Sequence, residues 1–262
     1  MKKISTFKRN SFWAIYAFSA FISLTLISCK KSDSDGSKAE AGYATGRVTD
    51  TKGNPVQGVS VIIENQMTGN HNYLNGVTDK NGFYKIKLSA VGTFQISAEK
   101  DIAFNNKQYK MQFHKDNSAV FGPDGGPSAV RNFQWRLSGP GNHETDGYYG
   151  GGIEISTELG SYIDDIENAE FKLEPQGSLI DGTPGAILTL KCGAPMTTYY
   201  GQLVSIPIAK YKLSATMVRN GARTPLKVRH RDSGDQLTDF IIIEFEPSSF
   251  LGKNMTAIDF NF

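Results

Sequence analysis

The side chains that could do chemistry in this 262-residue chain are few, and the four histidines come first. The histidines are His71, His114, His143 and His230. None of them has a cysteine or carboxylate nearby in the sequence at the spacing of a metal site. His143-Glu144 opens like a zinc-protease motif, in which two histidines four residues apart hold the metal. Gly147 stands where the second histidine would have to be. We therefore expect neither a metal centre nor another cofactor.

Motifs of nucleophilic and phosphoryl-transfer catalysis are also incomplete. His230-Arg231-Asp232 matches three letters of a kinase catalytic loop, but no glycine-rich loop, strand lysine or Asp-Phe-Gly motif accompanies it. The sequence has no Gly-x-Ser-x-Gly elbow and no Walker phosphate loop. A hydrolase using scattered carboxylates such as Asp164, Glu170 and Asp232 is the catalytic alternative. We expect that the protein is not an enzyme, because Asp and Glu side chains are almost always solvated surface groups.

The two cysteines lie in different surroundings. Cys192 ends a largely apolar run over residues 186–191, which also contains Thr189 and Lys191, and a thiol there packs as a small hydrophobic side chain. Cys29 directly follows a leader, residues 1–28, with a positively charged start and an uncharged, largely apolar run over residues 12–27. This is the anatomy of a signal peptide, and the run is shorter than the about 20 residues that span a bilayer.

The last leader residues and the cysteine, Leu26-Ile27-Ser28-Cys29, resemble the lipobox of bacterial lipoproteins. In that family the cysteine thiol receives a diacylglycerol and the peptide is cut just before it. The resemblance implies that Cys29 is the lipidated first residue of the mature protein, and two or more acyl chains make such anchoring stable. It implies a location at the bacterial outer membrane, facing either the periplasm or the cell surface.

The charge and composition after the leader exclude one class of partner. The leader holds four of the 28 basic residues, so 24 basic residues face 26 acidic ones and the formal charge is −2. Without a clustered basic patch, we expect no nucleic-acid binding. Residues 29–42 are almost free of apolar side chains and predict a flexible tether. Residues 30–35 loosely resemble the charged export signal of Bacteroidetes surface lipoproteins, although Ser34 separates the two acidic residues.

From Tyr43 onward, short alternating apolar and polar runs are separated by turn residues, which predicts an all-β chain. The clearest predicted strands are residues 59–64, 83–88, 93–98, 109–113 and 133–137, then 153–155, 170–173, 211–215, 226–229, 240–246 and 257–260. Residues 161–168 could form one or two helical turns, and residues 138–142 look like a linker. We therefore predict two tandem β-sandwich domains, residues 43–138 and 143–262.

Motifs in the first of these domains follow a recognisable order. They are Gly46-x-Val48, Gly53-x-Pro55-x-x-Gly58, a second strand, and Thr78-Asp79-x-x-Gly82-x-Tyr84. This order resembles the carboxypeptidase-regulatory-like domain, a seven-stranded sandwich of prealbumin type with Greek-key connections, over about residues 43–138. The resemblance implies a structural or binding module without an active site. Independently, Asn81-Gly82 fits a tight hairpin, after which only one of Phe83 and Tyr84 can enter the core.

The two domains share a weak internal similarity. A gapless shift of 117 residues superposes Phe94, Ile96 and Ala98 on Tyr211, Leu213 and Ala215, and Tyr109 and Met111 on Leu226 and Val228. Such matches are expected of an internal duplication. They are also expected of any two β-domains with alternating patterns, and the sequence leaves both explanations open.

Paired tyrosines in predicted loops are the candidate ligand-binding residues: Tyr148, Tyr149, Tyr199 and Tyr200. A flat ring with a polar tip can stack on a ligand and still hydrogen-bond to water. The alternative is that these rings fill the domain junction or the sandwich rim. Because Tyr199 and Tyr200 follow a turn and precede Gly201, we expect at least one ring to be exposed. Trp135 is expected in the core.

Together these features predict a non-catalytic outer-envelope lipoprotein. It would present its β-sandwich domains to a glycan or to a protein partner in an outer-membrane nutrient-uptake assembly. The carboxylate hydrolase requires two carboxylates within about 5–10 Å of each other in a pocket. A purely structural spacer, the third possibility, predicts no exposed aromatic cluster.

Overall fold

The computed structural model describes residues 38–67, 72–142, 147–231, 233–247 and 254–262. The predicted signal peptide, Cys29 and most of the predicted tether lie outside these residues. The described residues form strands and short 3₁₀ turns, at Gly126–Ala129 and Ile166–Asn168, without an α-helix. Within them, no helix has the length and apolar character needed to cross a membrane. The part of the chain that the structure describes is therefore all-β, as its alternating pattern predicted.

Strands β1 to β7 build the first sandwich, and their order in the sheet is β3-β2-β5-β6-β7-β1-β4. The first and last strands pair in parallel, whereas the other pairs are antiparallel. The strands are β1 Tyr43–Thr49, β2 Ser60–Asn65, β3 Tyr73–Val77, β4 Phe83–Lys87, β5 Phe94–Phe104, β6 Lys107–Lys115 and β7 Phe133–Trp135.

Strands β8 to β15 build the second sandwich, with the order β10-β9-β12-β13-β15-β8-β11 and β14 added beside β12. Here β8 and β15 pair in parallel. The strands are β8 Gly151–Thr157, β9 Ala169–Pro175, β10 Leu188–Leu190, β11 Gln202–Ile206, β12 Tyr211–Arg219, β13 Ala222–His230, β14 Ile241–Ile243 and β15 Asn254–Asn261.

The two sandwiches are structural repeats of each other. Replacing β1 to β6 by β8 to β13, and β7 by β15, reproduces every pairing and its direction. The 117-residue shift carries the start of β5 onto the start of β12, and Phe94, Ile96 and Ala98 are buried like Tyr211, Leu213 and Ala215. Both following hairpins turn on two residues with positive φ, Asn105-Asn106 and Asn220-Gly221, as a tight type I′ turn requires.

The Thr78-Asp79 motif organises the turns of the first sandwich. The buried Thr78 hydroxyl donates to the carbonyl of Val56 at 2.7 Å and accepts from the amide of Val59 at 2.9 Å. The Asp79 carboxylate accepts from the amides of Asn81 and Phe83 and so closes the hairpin before β4. The Thr78 side chain therefore fixes where β2 begins, and the Asp79 side chain fixes where β4 begins.

The first motif glycine is required because the segment just before β7 approaches β1 closely. A Cβ on Gly46 would lie 1.7 Å from the carbonyl oxygen of Arg131 and 2.8 Å from the Tyr84 hydroxyl. That hydroxyl donates to the same Arg131 oxygen at 2.7 Å, and burial raises the pKa of Tyr84 far above its ordinary value. Tyr84 thus enters the core while Phe83 stays partly exposed, as the alternation predicted.

Several strand predictions need correction. β3, β10 and β11 were not predicted, and the strand predicted over residues 240–246 is confined to Ile241–Ile243. β5 continues six residues past its predicted end, because its polar residues pair with β6 up to the hairpin. Residues 38–42, predicted as the end of a flexible tether, are bonded to the first sandwich: Leu88 donates to Gly42, and Gly126 donates to Glu40.

The two sandwiches meet through specific contacts. The Tyr109 hydroxyl donates to the carbonyl of Phe245 at 2.8 Å, and the Lys107 ammonium bonds the Glu246 carboxylate at 2.7 Å. The Thr51 hydroxyl donates to the Asp181 carboxylate at 2.7 Å. Gly139, in the predicted linker, donates to the Ser205 hydroxyl. The linker segment is therefore fixed by hydrogen bonds to the second sandwich.

Replacing Thr78 by Val tests the organising hydroxyl. Thr78→Val keeps the shape of the side chain but leaves the Val59 amide without its buried acceptor, so the free energy of unfolding should fall by about 1–3 kcal/mol. Urea unfolding followed by fluorescence measures the change. Thr224→Val, at an exposed strand position, is the control and should change stability by less than about 0.5 kcal/mol. Equal effects of the two substitutions would contradict this role of Thr78.

Candidate functional site

Tyr149 lies at the contact between the two sandwiches and is buried, with 7% of its surface exposed. Its ring packs edge-on against His114 of the first sandwich, and its hydroxyl lies 3.3 Å from the His114 Nδ1. Its amide donates to the carbonyl of Gly139. Burial lowers the pKa of His114, which favours the neutral imidazole there. The prediction that Tyr149 offers a stacking surface is therefore wrong: the ring fills the junction, which was the alternative explanation.

Tyr148 and Tyr199 form a pair on the second sandwich. Their rings contact edge-on with centroids 5.9 Å apart, and the Tyr148 hydroxyl lies 3.1 Å from the Met255 sulfur. A Cβ on Gly152 would lie 2.2 Å from that hydroxyl, so Gly152 makes room for the ring. Burial raises the pKa of Tyr148 to about 12. Both rings are partly covered by each other and offer a ligand little flat surface.

Tyr200 is the exposed member of the four tyrosines predicted from the sequence, with 38% of its surface accessible. It stands in the loop between β10 and β11, next to Gly201, which has a positive φ. The expectation that at least one ring of the Tyr199-Tyr200 pair is exposed is met. Burial and the carboxylates of Glu167, Asp164 and Asp165 raise the pKa of its phenol, so these acidic groups lie near the ring.

The strand register places this loop at one end of the second sandwich. Gln202 at the start of β11 pairs with Glu154 of β8, and the Glu158 amide just after β8 donates to Phe260 in β15. The loop after β8, the loop before β11 and the end of β15 therefore share one end. The contacts with the first sandwich, through Tyr149 and Phe245, lie at the opposite end, where β8 and β15 begin.

The two loops at this far end carry four exposed large apolar side chains, and we call these four the apolar tip. They lie in the two loops and have exposed fractions of 101%, 99%, 102% and 38%: Leu159, Tyr162, Met196 and Tyr200. Single exposed apolar residues are common on proteins, but several at one end are typical of interaction surfaces. Only Tyr200 was among the predicted site residues, because an isolated apolar residue in a polar loop gives no periodic signal.

Acidic groups surround the apolar tip. Asp165 is held by the Arg219 guanidinium, whose hydrogen bond lowers the pKa of the carboxyl to about 2. Arg219 also lies over the ring of Phe262, 5.5 Å from its centroid. Asp164 and Glu167 lie close enough to Tyr200 to raise the pKa of its phenol. The tip therefore combines apolar side chains with a predominantly acidic surround.

One carboxylate of the hydrolase alternative, Glu170, has a structural partner. Glu170 bonds Arg223 at 2.7 Å, and this hydrogen bond lowers the pKa of Glu170, the opposite of what a general acid needs. Asp232 lies outside the described residues. Cys192 is buried and burial raises the pKa of its thiol, as expected for a packed side chain. Among the described residues, no group of three or more His, Cys, Asp or Glu is placed to hold a metal ion.

The fold and these sites define a tandem β-sandwich protein whose surfaces are those of a structural or binding module. Residues 44–117 match the family model of the carboxypeptidase regulatory-like domain. This match runs from β1 to just beyond β6 and confirms the resemblance drawn from Gly46, Gly58 and Thr78. The regulatory-like domain is non-catalytic.

Comparison with curated proteins finds no match to this chain. Among solved structures, the Bacillus anthracis TIE protein has 12% identity and a TM-score of 0.29, covering 84% of this chain and 34% of its own. This chain thus spans about a third of that protein. The major pilin subunit BcpA of Bacillus cereus has 10% identity and a TM-score of 0.25, covering 85% and 99%. The shaft pilin SpaA from Lactobacillus rhamnosus GG has 12% identity and a TM-score of 0.22, covering 85% and 98%.

Two tyrosine substitutions separate the junction ring from the tip ring. Tyr149→Ala removes a buried aromatic ring and should lower the free energy of unfolding by about 3–5 kcal/mol, as for other large buried rings. Tyr200→Ala removes an exposed ring and should change it by less than about 0.5 kcal/mol. Thermal and urea unfolding of both variants measure the difference. A Tyr149→Ala variant as stable as Tyr200→Ala would overturn the junction assignment.

Proposed function

We propose that this protein is a non-catalytic lipoprotein of the bacterial outer envelope, anchored through Cys29, and that it binds a protein partner of the envelope through the apolar tip. The observation that carries the proposal is the nearly complete exposure of Leu159, Tyr162 and Met196 at one end of a folded sandwich. Exposed side chains of this size lose contact with water when a partner covers them, which is the main driving force of association.

The composition of the tip favours a protein over other partners. Aromatic rings and methionine are enriched in the centres of protein interfaces, where a few such residues carry most of the binding energy. An anionic membrane surface would be repelled by Asp164, Asp165 and Glu167, since anionic lipids attract basic segments. A sugar stacks on flat rings, and two of the four tip side chains, Leu159 and Met196, offer none.

The position of the tip also supports this function. The predicted anchor precedes the first sandwich in the chain, and the tip lies at the end of the second sandwich opposite the contact between the two. A partner bound there would be clear of that contact. The spacer alternative predicted no exposed aromatic cluster, whereas the tip carries two exposed tyrosines, Tyr162 and Tyr200.

Removing the apolar tip tests partner binding. The triple variant Leu159→Ser, Tyr162→Ser, Met196→Ser should fold normally but bind its envelope partner at least tenfold more weakly, because each interface anchor contributes about 1–2 kcal/mol. Chemical cross-linking on cells of the source bacterium, followed by mass spectrometry, measures the yield of cross-linked partner.

The matched control removes three exposed apolar side chains from the first sandwich instead: Met67→Ser, Val91→Ser, Val120→Ser. It should give the wild-type yield of cross-linked partner. If wild-type protein gives no cross-linked partner, or if both triple variants lose it equally, the tip is not the binding surface.

The anchor has its own test. Cys29→Ser removes the thiol that would accept the diacylglycerol, so the protein should leave the membrane fraction or accumulate as an unprocessed precursor. Membrane fractionation with immunoblotting, and metabolic labelling with palmitate, report the two outcomes. A Cys29→Ser protein that keeps its mature length and stays in the detergent-extractable membrane would show that the lipobox interpretation is wrong.

A further inference from the structure

The first sandwich carries a groove on the outer face of strands β3, β2, β5 and β6, with a volume of about 510 Å³. Inward positions of these strands fill the core, so the groove is lined by the alternate, outward positions. Its principal side chains are Glu64, Tyr73, Asn75, Gln95, Ser97 and Gln112. Asn142, beyond the end of β7, adds a further amide, and its Oδ1 accepts the amide of Lys115.

The strand register arranges these side chains in rows across the sheet. Tyr73 pairs with Glu64, which pairs on its other side with Gln95. Asn75 pairs with Ile62, which pairs with Ser97. Residues directly opposite on one face have Cβ atoms about 4.5–5.5 Å apart. The first row therefore presents three neighbouring polar side chains, whereas in the second row the apolar Ile62 separates Asn75 from Ser97.

The chemistry of the rows matches neutral hydroxyl groups. Amide side chains both donate and accept hydrogen bonds, and carboxylates accept them through two oxygens. Together they can bond sugar hydroxyl groups, which also both donate and accept. The exposed ring of Tyr73 stands at the edge, where a sugar face could pack on it. Ile62 provides an apolar floor between Asn75 and Ser97.

The charges in the groove argue against an anionic ligand. Glu64 and Glu99 both line it, and the nearby ammonium of Lys110 is held by Glu99 at 3.0 Å and by Asp101 at 3.3 Å. Lys115 is buried, and its ammonium lies 3.3 Å from the carbonyl of Ile96. A phosphate or uronate would meet two carboxylates, and the lysines near them are already occupied by protein oxygens.

The equivalent face of the second sandwich provides an internal comparison. Shifting by 117 residues carries Gln95 onto Lys212 and Ser97 onto Ser214. On that face Lys212 and Lys172 both pair with Glu174, so charged side chains bond one another across the strands. The same scaffold therefore has amides free to face a ligand in one repeat and an ion-pair network in the other.

We propose that the groove of the first sandwich is a binding site for a neutral oligosaccharide. The site is separate from the apolar tip in position and chemistry, so the protein would bind a glycan with its first sandwich and a protein partner with its second.

The test uses full-length protein purified in detergent and isothermal titration with neutral hexasaccharides of glucose, mannose and xylose, with hexagalacturonate as an anionic probe. At least one neutral probe should bind. Ser97→Trp places an indole in the groove and should weaken that binding at least tenfold, whereas Ser214→Trp, at the equivalent position of the second sandwich, should bind like wild type. Gln95→Ala, with Lys212→Ala as its control, gives the same comparison without added bulk.

Three outcomes would overturn the proposal: no neutral probe binds, hexagalacturonate binds in preference to all of them, or both members of a matched pair lose binding equally. The tip variant Leu159→Ser, Tyr162→Ser, Met196→Ser should bind the neutral probe normally. A failure of the glycan site is therefore distinguishable from a failure of the proposed partner binding.

Discussion

The parallel pairing of the first and last strands closes each sandwich. In the first repeat β1 lies beside β7, and in the second β8 lies beside β15. The pairing brings the two ends of each repeat together, and every other strand joins the sheet through antiparallel neighbours. In the first repeat it demands glycine at position 46, because the Arg131 carbonyl and the Tyr84 hydroxyl fill the space of a side chain.

A repeated scaffold with two different surfaces explains how one chain could serve two partners. The core positions of β5 and β12 are equivalent, with Phe94 and Tyr211 in the same place, because packing constrains them. Outward positions are free to differ: amides line the groove in the first repeat, and ion pairs cover the same face in the second. The loops differ as well, and the apolar tip belongs to the second repeat.

The sequence predicts the fold better than the sites, for a physical reason. Apolar and polar side chains alternate regularly in strands such as β5 and β12, so the burial of Ile96 and Leu213 follows from the two-residue period of a strand alone. β3 contains Asn75 and Gly76 and β11 is interrupted by a register shift, so their patterns are weak. The groove and the tip depend on which strands and loops become neighbours in the fold. Side chains such as Gln95 and Leu159 can therefore be recognised as site residues only in the structure.

The two sandwiches differ in how many residues pair between the first strand and its parallel partner, and this difference has a mechanical consequence. Val48 and Thr49 pair with β7 and Thr45 adds one isolated parallel bridge to Val130, whereas seven residues of β15, Asn254 to Phe260, pair with β8. Because the chain enters each sandwich at the start of one strand and leaves at the end of its parallel partner, tension along the chain loads these hydrogen bonds in shear. A pull between the proposed anchor and a partner held at the tip would load the shorter pairing of the first sandwich, which would then be the extensible element.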